Sequence, residues 1–93
     1  MEVCDKKVED IKNEIWSFFE SAIQSCEQDN SVSLRGKEYF KKELTGVYES
    51  MLENQDKDKE IPHWEYWKTN LNYSKTWPQT SLNFVKRNYP LIQ

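Results

Sequence analysis

The chain has 93 residues and a formal charge of −3, from 16 acidic against 13 basic side chains, which is the size of one small domain and excludes a cofactor domain joined to a substrate domain. Its Ile, Leu, Val and Phe content lies just above the composition of disordered chains. The 14% of aromatic residues lifts it clear of them, because each buried ring removes roughly 150–250 Å² from water. With 2 Gly and 3 Pro the chain is neither collagen-like, nor a linker, nor a many-turned β-sandwich.

The longest uncharged stretch, Thr76 to Val85, is about half of the roughly 20 residues that cross a bilayer, so no transmembrane helix is expected. The first twelve positions are rich in charge and lack an apolar run, so no secretory signal is expected and the reading is cytosolic.

The first element is a helix from about Asp5 to Glu27, with Asp5 as its N-cap. Val8, Ile11, Ile15, Phe18, Phe19, Ala22, Ile23 and Cys26 fall within an arc of about 140°, the width of a core-facing amphipathic stripe. Asp29, Asn30 and Ser31 supply the turn that ends it. Cys4 and Cys26 would sit roughly 33 Å apart on such a helix, too far for a disulfide, which needs Cα atoms within about 7 Å. Two unpaired thiols fit a reducing compartment.

A second helix, roughly Gly36 to Asn54, carries Phe40, Leu44, Val47, Tyr48, Met51 and Leu52 on one side. Gly46 lies off that stripe and costs about 1 kcal/mol in helix propensity. Residues 54–60 are polar throughout and read as an exposed connector, the segment most open to proteolysis. Pro62 opens a third helix with Trp64, Trp67 and Leu71 as its inner stripe. Thr76 and Gln79 have the spacing of a capping box for a fourth, from about Pro78 to Asn88, lined by Leu82, Val85 and Tyr89 and ended by Pro90. The expected fold is all-α: a compact four-helix bundle in one domain, two longer amphipathic helices followed by two shorter aromatic-rich ones. Phe18, Phe19, Phe40, Leu44, Trp64 and Trp67 are its predicted core.

Little here points to catalysis. His63 is the single histidine, and with Cys4 and Cys26 it lacks the paired spacing of a zinc site. Cys26 ends a helix beside Glu27, where a thiolate is disfavoured, and Cys4 lies at a terminus that cannot hold geometry. Gly36 and Gly46 make no phosphate loop. No catalytic residue, metal or cofactor is expected, and the chain reads as a non-enzyme.

Two surface patterns remain, and both suggest binding. Glu9, Glu20 and Glu27 project together at the edge of the first helix's stripe, with Trp16 between them and the core. From Asn13 to Asn30 there are four acids and no Lys or Arg. Either this is a solvated face with a half-buried Trp, or it is a contact for a basic protein partner with Trp16 as anchor. The second pattern is the opposite charge of residues 61–93, net +3 against −6 for residues 1–60. That last third is rich in rings: Tyr66 and Phe84 are expected on the far sides of their helices, and Tyr73 and Trp77 in the loop between them.

The function expected is that of a small soluble protein that binds and inhibits another macromolecule, with Trp16, Glu9, Glu20, Glu27, Tyr66 and Tyr73 as contacts. Stand-alone acidic helical domains of this size are often immunity proteins, antitoxins or phage-encoded blockers, an analogy from size and charge. The alternatives are a nucleic-acid-binding regulator that uses Lys86 and Arg87 with Phe84 and Trp77, and a subunit of a larger assembly. Four cations scattered over the last third make a thin footprint for nucleic acid.

Overall fold

The computed structural model describes residues 4–57 and 59–91. Among them four helical pieces follow one another: α1 (Cys4–Glu27), α2 (Leu34–Asn54), α3 (His63–Ser74) and α4 (Trp77–Asn88). α1 already includes Cys4, so Asp5 lies inside the helix and is not its N-cap. α2 begins two residues earlier than its apolar stripe suggests because Ser33 caps it, its hydroxyl accepting the Gly36 N–H at 3.1 Å. The capping box at Thr76 does not form. Thr76 has helical backbone angles and its hydroxyl donates backwards to the Tyr73 carbonyl, while the Gln79 amide donates to Asn83.

Instead of four independent helices, the pieces build three. α3 and α4 are separated by two residues only, and Pro78 explains the break. A proline at that position has no N–H for the Ser74 carbonyl and its ring would clash with it, so the helix must stop at Ser74 and restart. Together the two pieces run about 39 Å, close to the roughly 36 Å of α1. The Tyr66 hydroxyl donates to the Met51 carbonyl at 2.8 Å, which ties the start of α3 to the end of α2. At the other end Ser33 N–H donates to the Tyr89 carbonyl and Leu91 N–H to the Ser31 carbonyl, both at 3.0 Å, around an antiparallel bridge between Val32 and Pro90. Pro90 is tolerated there because both bonds use its neighbours' backbone groups. α1 thus runs up, α2 down, and the broken third helix up.

The body is not compact. It measures 57 × 20 × 16 Å with a radius of gyration of 15.3 Å, against about 12 Å for a globular chain of this length. Three helices side by side make one long, thin core instead of a rounded one. It contains Val8, Ile15, Phe19, Ile23 and Cys26 from α1, Phe40, Leu44 and Met51 from α2, Trp67 and Val85 from the third helix, and Val32 from the loop.

Two predicted core residues are on the surface. Phe18 is 37% and Trp64 40% exposed, because each lies at the rim of its stripe, and a third helix only about 10–12 Å across leaves that rim uncovered. The connector is also less free than its composition implies: Gln55 accepts the Trp67 indole N–H at 3.2 Å, and Asp56 lies 2.8 Å from His63 Nε2.

Close approach sets the packing where α2 meets α4. A Cβ added at Gly36 would lie 2.7 Å from Tyr89 Cβ, 2.9 Å from Val32 Cγ1 and 3.1 Å from Val85 Cγ1. Only the absence of a side chain lets these backbones meet.

Candidate interaction surfaces

On α1, Glu9, Glu20 and Glu27 are exposed as their spacing predicts, and Trp16 is half-buried. The Trp16 ring lies tilted on Tyr48 of α2, with centroids 5.2 Å apart. Burial raises the Tyr48 phenol's pKa, and the Glu9 carboxylate adds to the shift. Trp16 is therefore a packing element between α1 and α2 with one edge in solvent. The acidic run beyond it is partly neutralised. Asp29 accepts from the Ser31 hydroxyl at 2.6 Å and the Ser31 N–H at 2.9 Å, and Lys86 of α4 reaches its other oxygen at 3.4 Å. Those hydrogen bonds, with Lys86 adding a smaller share, hold the carboxyl at about 2.

Lys86 is thereby an internal partner, which weakens it as a phosphate contact; Arg87 beside it is exposed. Of the aromatic candidates, Tyr66 is structural. It is half-buried, donates to Met51 and meets Trp67 edge-on at 5.3 Å, so it does not face away from the bundle as its position on the helix suggested. Tyr73 and Trp77 are not in a loop. They occupy the last turn of α3 and the first residue of α4, stacked at 5.4 Å across the break.

Phe84 does project outward, 46% exposed, as does Tyr73 at 47%. One ring the sequence reading passed over organises this face: Tyr39 of α2 lies between Phe84 and Tyr89, with centroids at 5.9 and 5.3 Å and both pairs inclined by 28°. Its signal was available, since Tyr39 stands off the apolar stripe of α2 on the side that carries Gly46. Tyr39, Glu43, Trp77, Thr80, Ser81 and Phe84 line a groove of about 240 Å³ between α2 and α4. Past Tyr39 and Glu43 it opens onto a shallow surface along α2 that reaches Gly46, where nothing lies within 4 Å of an added Cβ.

A second groove, of about 320 Å³, separates α1 from α3 and is lined by Asp10, Ile11, Glu14, Trp64, Lys68 and Leu71. Phe18, seven residues beyond Ile11, continues the same side of α1.

The groups with chemical potential stand apart. Cys26 is buried at the upper end of α1, where burial first and the Asp29 carboxylate second push its thiol up. His63 is exposed at the lower end, beside Asp56. The Cys4 side chain lies outside the described residues. No helix among those described is long and apolar enough to cross a membrane. No protein-family model, curated protein or solved structure matches the chain.

Proposed function

We propose that the protein is a small, non-catalytic interaction protein that binds another protein and blocks the surface it covers. The observation that carries this reading is the face between α2 and α4, where Phe84 and Tyr73 are nearly half exposed yet held in place by stacking on Tyr39 and Trp77. A ring already fixed in the free protein loses little freedom on binding, and aromatic anchors of this kind dominate interface energetics. Glu9, Glu20 and Glu27 remain in this reading as exposed charges that steer a basic partner toward the molecule and act on association rate. Trp16 contributes its exposed edge at most, since its ring already packs on Tyr48.

The nucleic-acid reading has less support. Base stacking needs free ring faces beside free cations, whereas Trp77 and Phe84 each have a face against a neighbouring ring and Lys86 pairs with Asp29. Photo-crosslinking separates the two. With a benzophenone amino acid in place of Phe84, a cell extract should yield one discrete protein adduct that survives nuclease, absent when the probe replaces the exposed Glu53. Nuclease-sensitive adducts alone would select the runner-up, and identical adducts from both positions would refute the face.

A further inference from the structure

We infer that the groove between α1 and α3 is the contact between two copies of this chain, paired about a two-fold axis that runs along the groove. This surface is separate from the α2/α4 face, and the inference stands on its own. The groove is apolar at its floor, where Ile11 and Leu71 lie half-buried, and it carries Trp64 at 40% exposure, with Phe18 at 37% on the continuing stripe of α1. Of the five rings that the sequence pattern marks as core, these are the two left exposed, and in the single chain neither has a helix over it.

Charge selects the occupant. The α1 wall of the groove is acidic, with Asp10 and Glu14, and the α3 wall is basic, with Lys68. Neither Glu14 nor Lys68 has an ion-pair partner among the described residues. A uniformly basic or acidic partner would match one wall and oppose the other. A second copy turned about an axis along the groove matches both, because the rotation exchanges left and right while keeping the direction of the helices. The α1 wall of each copy then faces the α3 wall of the other, and Glu14 comes opposite Lys68 of the second copy at both symmetric positions.

α1 and α3 run in the same direction, so the matched residues stay level along the groove. A two-fold axis perpendicular to the groove would instead put α1 on α1 and acid on acid. The contact is isologous, the commonest form of homo-oligomer interface. Specific interfaces cover about 800 Å² on each partner, and one long face of a body 57 × 20 × 16 Å is large enough to supply it.

Sedimentation equilibrium on the full chain at about 100 μM, a concentration at which a micromolar dimer is populated, tests the pairing. The wild type should have the mass of two 11.2-kDa chains. Glu14→Lys places cation against cation, and Lys68→Glu places acid against acid, so each variant alone should sediment as a single chain. Both residues are exposed, so the fold survives either change, which circular dichroism checks. Mixing the two variants in equal amounts should restore the two-chain mass. In the mixed pair the lysine introduced in one chain faces the glutamate introduced in the other, and the unaltered Lys68 of the first faces the unaltered Glu14 of the second. A wild type that stays single at this concentration, single variants that remain paired, or a mixture that does not recover would each overturn the proposal.

Discussion

The two ends of α2 are held by opposite means. At its start the backbone itself makes the contact: Gly36 has no side chain, Tyr89, Val32 and Val85 press against it, and a bridge between the loop and the C-terminal segment locks the crossing. At its finish two long side chains of α3 reach across, Tyr66 to the Met51 carbonyl and Trp67 to Gln55. Between these ends α2 turns one side to open space, at Gly46. One helix therefore carries a closed junction, a side-chain latch and an unoccupied surface, and the unoccupied part adjoins the aromatic groove proposed for binding.

The latch should be the most costly to remove. Trp67 is fully buried, accepts the Lys12 ammonium over its ring at 5.2 Å and donates to Gln55. Trp67→Ala should lose about 3–5 kcal/mol, the scale for deleting a core aromatic, read by chemical denaturation. A loss under about 1 kcal/mol would mean that α3 is not fastened to the end of α2 as described.

The sharpest test of the comparison is one substitution made at both glycines. Gly36→Ala drives a methyl into the Cβ of Tyr89, a rigid atom on another element, and should cost about 1–3 kcal/mol or more by overpacking. Gly46→Ala meets nothing and should stabilise the protein by up to about 1 kcal/mol through helix propensity. Equal effects of one sign would erase the distinction between the two regions.

The smallest effect concerns the Asp29 carboxylate at the closed end, held by Ser31 and, to a smaller extent, by Lys86. The Asp29 carboxyl titrates at about 2 in the folded chain, below its ordinary 3.8. A group whose folded value is lowered adds stability above its unfolded value and loses it as pH falls through the folded one. The advantage of the wild type over Asp29→Asn should therefore hold at neutral pH and fade between about pH 4 and pH 2. Melting temperatures of both proteins across that range check it; a gap that persists at the bottom would assign the stabilisation to another group.

Much of this architecture was legible in the sequence, and the failures have identifiable causes. α1 was readable because eight apolar residues over six turns define a stripe; its buried members Val8, Ile15, Phe19, Ile23 and Cys26 lie toward one side of that stripe, and Ile11, Ala22 and Phe18 toward the other. Phe18 and Trp64 were misplaced because periodicity locates a direction and not the edge at which a neighbouring helix stops covering it. In a 12-residue helix three apolar positions fix that direction poorly, so Tyr66 and Trp64 exchanged roles once the end of α2 offered the Met51 carbonyl. Pro78 announced the break, yet the two pieces act as one helix in the bundle because only two residues part them.

The bridge between Val32 and Pro90 left no trace in the pattern, since it joins backbone groups 58 positions apart. The special need for glycine at position 36 was equally invisible, because it arises from Tyr89 on another element. On the surface, Phe84 projects outward as its place on α4 implies, whereas Tyr73, expected in a loop, lies in the last turn of α3. Tyr39, which stacks on Phe84, is marked in the sequence only by its position off the apolar stripe of α2.

The central functional claim is that these outward rings serve a partner and not the fold. It is tested most directly by the double variant Phe84→Ala with Tyr73→Ala, with thermal stability and capture of the crosslinked partner measured on the same sample. Both side chains are nearly half exposed, so the variant should melt within a few degrees of the wild type, on the scale of about 1 kcal/mol, while its partner affinity falls by tenfold or more. A large drop in melting temperature with undiminished affinity per folded molecule would show that the rings hold the bundle together and would contradict the account.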